Sequence, residues 1–88
     1  MKKSGIYKII NNINNKFYIG SSNDIETRWK RHKSRLNKNK HANSYLQHSW
    51  NKHGGNNFSL KIIEIVENPK NLFSKEQFYL KQDLNYKS

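Results

Sequence analysis

Two short runs, 3–10 and 16–21, alternate apolar with other residues, and the stretch between them is nearly all asparagine. Alternation at period two marks strands. Asparagine tolerates the left-handed backbone angles that a tight turn demands. A chain carrying this stretch has to build an antiparallel hairpin, and the remaining elements must pack against it. A turn over 11–14 sets Tyr7 opposite Tyr18 and Gly5 opposite Gly20. Both tyrosines then share one face with both glycines, while Ile6, Ile10, Phe17 and Ile19 take the other. The glycines are expected to leave the tyrosine face open at one end, where a ligand can approach the backbone.

A helix is predicted over 23–37, with Asn23 as its cap and Glu26 three residues later as a loose capping box. Ile25, Trp29, His32 and Leu36 fall on one narrow stripe, flanked by Arg28 and Arg35, with Arg31 further round. A second helix over 43–53 turns Leu46, Trp50 and Ala42 inward, and Gly54-Gly55 stops it. Phe58, Leu60 and Ile62 alternate along a third strand, Pro69 marks a turn, and a last helix covers 71–84. Its apolar arc holds Leu72, Phe73, Tyr79, Leu80 and Leu84. The order is β-β-α-α-β-α. This is an α/β fold with a small, mainly antiparallel three-stranded sheet flanked by helices.

Composition narrows the function classes. With 88 residues, 33% of them hydrophobic, the chain is expected to form one small domain with an economical core. It has no cysteine, which excludes a disulfide framework and a thiolate zinc site. No apolar run approaches the roughly 18 residues of a membrane span, and the reading is a soluble intracellular protein. The net charge of +11 points to a polyanionic partner. An AT-rich genome raises lysine and asparagine together and accounts for part of that charge. It does not account for the three arginines, which all lie within eight residues. Arginine presents a rigid fork matched to phosphate oxygens, which lysine cannot copy. A solvated helix face is the plainer explanation, more so for Arg31 than for Arg28.

Two further residues break the apolar pattern. Glu76 sits between Leu72 and Leu80 on the last helix, although acids rarely enter a core unpaired. It is either a buried ion-pair partner or a ligand for a hard cation such as Mg²⁺. His32 is either a satisfied core histidine or a catalytic group. His41, His48 and His53 have no i,i+4 relation, so no histidine zinc site is expected. Tyrosines from the hairpin, Arg28 and His32 from one helix and Glu76 from another form a set suited to phosphodiester hydrolysis.

The tripeptides Gly5-Ile6-Tyr7 and Tyr18-Ile19-Gly20, with Arg28 and Glu76 at their spacing, resemble the GIY-YIG nuclease family. The stretches "SGIYKI", "NNKFYIGSS", "RWKRH" and "NKHG" look like the catalytic domains of phage and bacterial homing endonucleases. The resemblance implies a metal-dependent DNA endonuclease. Tyr7 would be the general base, Tyr18 would place water or phosphate, and Arg28 and His32 would contact the scissile phosphate. Glu76 would bind a single Mg²⁺ or Mn²⁺. Gly20, Arg31, Arg35 and His41 join Arg28 as expected contacts to double-stranded DNA. The expected unit is one catalytic domain over 1–88 that lacks a separate DNA-recognition domain. It is expected to be monomeric, with no membrane or small-molecule cofactor, in the cytoplasm of a bacterial or phage-infected cell. The family's supporting asparagine has only Asn85 as a counterpart, in poor register. The alternatives are a basic nucleic-acid-binding module without catalysis, which leaves Glu76 unexplained, and a protein-interaction domain with a codon-biased surface.

Overall fold

In the computed structural model, which describes residues 3–82, β1 (Gly5–Asn11) and β2 (Phe17–Ser22) pair antiparallel. The turn begins one residue later than expected, at Asn12. The Asn11 N–H donates to the Lys16 carbonyl at 2.9 Å, the Asn15 N–H donates to the Asn11 carbonyl at 2.8 Å, and Asn15 takes a φ of 63°. Tyr7 therefore faces Gly20 and Ile9 faces Tyr18, not Tyr7 facing Tyr18. The reason is the Asn11 side chain. It is buried, accepts the Ile13 N–H at 2.9 Å and donates to Ser49 Oγ at 3.2 Å. Held this way, Asn11 ends a strand and cannot open the turn. The register shift is two residues, so it leaves both tyrosines on one face.

β3 (Phe58–Ile65) pairs antiparallel with the other edge of β1, giving the order β2-β1-β3. A bulge opposite Ile6 and Tyr7 leaves Ile63 without a partner; Ile62 packs in the layer of Tyr7 and Ile63 in the layer of Ile6. On the tyrosine face, Tyr7 and Ile9 pack with Ile25 and Leu36 of α1 (Ile25–Asn37) and Leu46 and Trp50 of α2 (Ser44–His53). On the opposite face, Ile6, Ile19 and Val66 meet Leu72, Tyr79 and Leu80, which belong to α3 (Leu72–Gln82). The central strand β1 is thus buried on both sides. The result is the expected three-stranded antiparallel sheet with helices on both faces.

Local chemistry sets the helix ends. Asp24, not Asn23, caps α1. Its carboxylate accepts the Thr27 N–H at 3.3 Å and the Thr27 hydroxyl at 2.8 Å, while the Ile25 N–H is tied to the Lys3 carbonyl at 2.9 Å. Asn43 caps α2 through the Leu46 N–H at 3.0 Å. Gly54 ends α2 with a φ of 84°, which an L side chain rarely adopts. Two residues expected inside lie outside. Ala42 precedes α2 and is exposed, and Phe73 points away from the sheet at 72% exposure. Leu84 and Asn85 fall outside the described residues. Among the described residues no helix is long and apolar enough to cross a membrane.

Candidate active site

Tyr7 rises from the central strand, and its phenol lies across Gly20 on β2. A Cβ at Gly20 would stand 2.5 Å from Tyr7 Oη and 2.6 Å from Tyr7 Cζ. The missing side chain at Gly20 therefore makes room for Tyr7 and does not open the backbone to a ligand. Gly5 is likewise filled, by the close approach of the Glu64 carbonyl on β3. The expected opening at the glycines is absent because neighbouring protein atoms occupy it.

Helix α1 brings His32 onto the phenol, with Nε2 2.8 Å from Tyr7 Oη. His32 stacks on His41, from the loop between α1 and α2, with ring centroids 4.9 Å apart and Nδ1 to Nε2 at 2.7 Å. Tyr18 meets both imidazoles edge-on, at 5.7 and 6.3 Å. Gln47, which the sequence reading passed over, holds this loop. Its carbonyl oxygen accepts the His41 N–H at 3.0 Å, and its amide donates to the Leu36 carbonyl at 2.9 Å. Gln47 lies beside Leu46 and one turn before Trp50, so its position on the inward side of α2 was the available signal.

The direction of this hydrogen-bond chain follows from one unambiguous donor. The Asn43 backbone N–H donates to His41 Nδ1 at 3.0 Å. Neutral His41 then carries its proton on Nε2 and donates to His32 Nδ1, and neutral His32 carries its own on Nε2 and donates to Tyr7 Oη. Both imidazoles are held neutral. Burial first, then the repulsion a second imidazolium at His41 would bring and the charge of Arg28, push His32 down to about 4, and burial lowers His41 as well. His41 was expected to touch DNA, but both of its ring nitrogens are engaged inside the protein.

Arg28 is half-buried beside this cluster. Its guanidinium favours the phenolate of Tyr7 by charge and hydrogen bonding and also favours that of Tyr18. Burial outweighs it, and the Tyr7 phenol titrates well above its ordinary value near 10. Arg31 and Arg35 are exposed on α1, near enough to depress His32. Glu76 reaches the cluster differently from its place in the apolar pattern. Helix α3 packs on the far face of the sheet, and Glu76 comes to the β2 edge, where the Ser21 hydroxyl donates to Oε1. There its charge raises both tyrosines. Among the described residues Glu76 makes no ion pair; the Lys75 ammonium pairs with Glu64 instead, at 3.2 Å. Of the two readings of Glu76, the buried ion pair thus finds no partner among the described residues. Among the described residues no three His, Cys, Asp or Glu side chains converge on a metal. A lone carboxylate that takes the Ser21 hydroxyl on one oxygen fits a cation whose other ligands are water and phosphate.

A model of the GIY-YIG catalytic domain matches residues 3–87. The chain belongs to the GIY-YIG catalytic domain family. This GIY-YIG domain is 49% identical over 81 residues to intron-associated endonuclease 1 of Enterobacteria phage T4, covering 91% of the chain and 33% of the relative. It is 44% identical over 69 residues to a putative MSV199 domain-containing protein of Invertebrate iridescent virus 6, covering 76% of the chain and 27% of the relative. The chain thus spans about a third or less of the curated relatives it matches. Its structure is similar to the catalytic domain of homing endonuclease I-TevI, with a TM-score of 0.86 and 41% identity over 96% of this chain and 95% of that one. A point mutant of the same catalytic domain gives a TM-score of 0.88 at 40% identity, over 98% of this chain and 92% of that one.

Two outcomes are expected from the geometry of this GIY-YIG domain. Gly20→Ala pushes a methyl into the buried Tyr7 ring, so the melting curve should show a loss of about 1–3 kcal/mol, as overpacking typically costs. Tyr7 is displaced from His32 by the same methyl, so activity per folded molecule should fall as well. A variant as stable and active as the parent would mean that the ring is free to move. The second outcome is acid sensitivity. His32 has a folded pKa near 4, below the ordinary imidazole value of about 6.5, so the unfolded chain takes up the proton first. Stability is full above about pH 6.5 and declines as pH falls toward 4, by roughly 3 kcal/mol from this group. Melting curves across that window check it, and His32→Gln should flatten most of the dependence.

Proposed function

We propose that this GIY-YIG domain is the catalytic module of a metal-dependent endonuclease that hydrolyses phosphodiester bonds in double-stranded DNA. The observation that carries the reading is the directed chain from Asn43 through His41 and His32 to Tyr7, with Arg28 and Glu76 beside its end. Arg28 would hold a non-bridging phosphate oxygen and offset the charge that develops there. Tyr7 Oη would receive a proton from the attacking water, and as a phenolate it keeps two donors, His32 Nε2–H and Arg28. Tyr18, edge-on to both imidazoles, would keep them aligned and flank the phosphate. Glu76 would hold one Mg²⁺ or Mn²⁺, which supplies positive charge at the reacting phosphate and relieves the penalty that the Glu76 carboxylate imposes on the Tyr7 phenolate. Arg31 and Arg35 line the exposed side of α1 as contacts to the flanking backbone. The module would act as a monomer in the cytoplasm of a bacterial or phage-infected cell, with sequence recognition supplied by another domain.

Supercoiled plasmid incubated with and without Mg²⁺ tests the reading. Nicked or linear DNA is expected only with the metal. Binding without cleavage, under conditions where the folded protein is verified, would reduce the domain to a basic nucleic-acid-binding module.

A further inference from the structure

Tyr18 belongs to two places at once. On one side it meets His32 and His41, and on the other it lines a groove of about 260 Å³ between the β1–β2 hairpin and α2. Leu46 and Phe58 give this groove an apolar floor, and Lys16, Lys52 and Tyr45 form its rim. Among the described residues no acidic one lines it. Tyr45 is 66% exposed, a large ring held in water by the first turn of α2.

We propose that this groove is a nucleotide subsite that receives one unpaired nucleotide of the strand passing the catalytic cluster. The proposal rests on the reading of the chain as a DNA nuclease. Three observations carry it. The volume lies just under the roughly 300–1,000 Å³ of ordinary small-molecule pockets, which suits a single base with its sugar. An exposed aromatic ring and lysines lining one groove are the groups that bind single-stranded nucleic acid, because every base has a π-face and every nucleotide a phosphate. Tyr18 lines the groove and also touches both imidazoles, so the groove lies next to the catalytic cluster and one strand can reach both. The base packs against Tyr45 over the apolar floor, and the flanking phosphates lie on Lys16 and Lys52.

Taking a base out of a duplex costs a few kcal/mol, and a base already unpaired avoids that cost. The full chain, kept in EDTA so that no cleavage intervenes, should bind a duplex with a single-nucleotide bulge roughly tenfold or more tighter than the fully paired duplex. Fluorescence anisotropy reads both affinities. Tyr45→Ala should weaken binding to the bulged duplex by about fivefold to a hundredfold and leave the paired duplex nearly unchanged. Alanine is well tolerated at this exposed helical position, so folding should be retained. Equal affinities of the parent protein for the two duplexes overturn the proposal, as does a Tyr45→Ala variant that weakens both alike. The plasmid assay is read separately. A parent that nicks plasmid without preferring the bulge loses the subsite and keeps the nuclease. A parent that prefers the bulge without nicking keeps the subsite and loses the nuclease.

Discussion

Glu76→Gln is expected to abolish metal-dependent plasmid cleavage and leave the fold in place. The glutamine carbonyl oxygen can still accept the Ser21 hydroxyl, so the contact between α3 and the β2 edge survives. What is lost is the negative charge that makes a carboxylate a ligand for a hard cation. Removing one directed electrostatic group typically costs about 10²–10³-fold in rate, and the loss of the only proposed protein ligand should sit at or beyond the upper end. Stability gives the contrast. Had Glu76 neutralised a buried lysine or arginine, its removal would cost roughly 3–5 kcal/mol. Among the described residues Glu76 has no such partner, so the melting temperature should move little. Melts and nicking assays on the same preparations check this. A destabilised variant that keeps its activity per folded molecule would remove Glu76 from the metal site.

Tyr7→Phe should slow hydrolysis by about 10²–10⁴-fold, the usual contribution of a general base. The ring remains over Gly20, so the hairpin keeps its packing. The His32 Nε2–H loses its acceptor in a buried setting, which should cost about 1–3 kcal/mol of stability. The pH profile carries more information than the rate alone. Burial, then the charge of Tyr18, raises the phenol, and Glu76 adds to this, so the wild-type rate should climb with pH into the alkaline range. The variant should lose that rising limb. Tyr18→Phe should keep the limb and show a milder loss. A Tyr7→Phe enzyme with an unchanged rate and pH profile would take Tyr7 out of the mechanism. His32 would not be its ready replacement, because its Nε2 already carries a proton in the resting arrangement.

The hairpin and its two tyrosines were legible because strand side chains alternate with period two. That parity survives a two-residue slip, so Tyr7 and Tyr18 share a face in the expected register and in the observed one. The register itself depended on Asn11, whose side chain is anchored to Ser49 on α2, thirty-eight residues away. Local turn chemistry cannot report such a contact, since asparagine at 11, 12, 14 or 15 suits a turn equally well. Gly20 shows the same division. Its identity announced a close approach, but only the packed sheet decided that the approaching group is Tyr7.

The sequence by itself determined the element order, the α/β class, the burial of one stripe of α1 with a histidine in it, and the oddity of a glutamate between Leu72 and Leu80. These follow from periodicity and from the cost of burying polar groups, both of which are local properties of the chain. The tertiary structure alone decided what those polar groups meet. His32 found its partners because Gln47 folds the loop between α1 and α2 back under it, and the Asn43 N–H then fixed the direction of every proton up to Tyr7. Glu76 came to Ser21 at the β2 edge because α3 lies on the opposite face of the sheet, so a residue read as interior stands where the two layers meet. Distances between elements far apart in sequence are set by how whole faces pack, and no pattern within a single element encodes them.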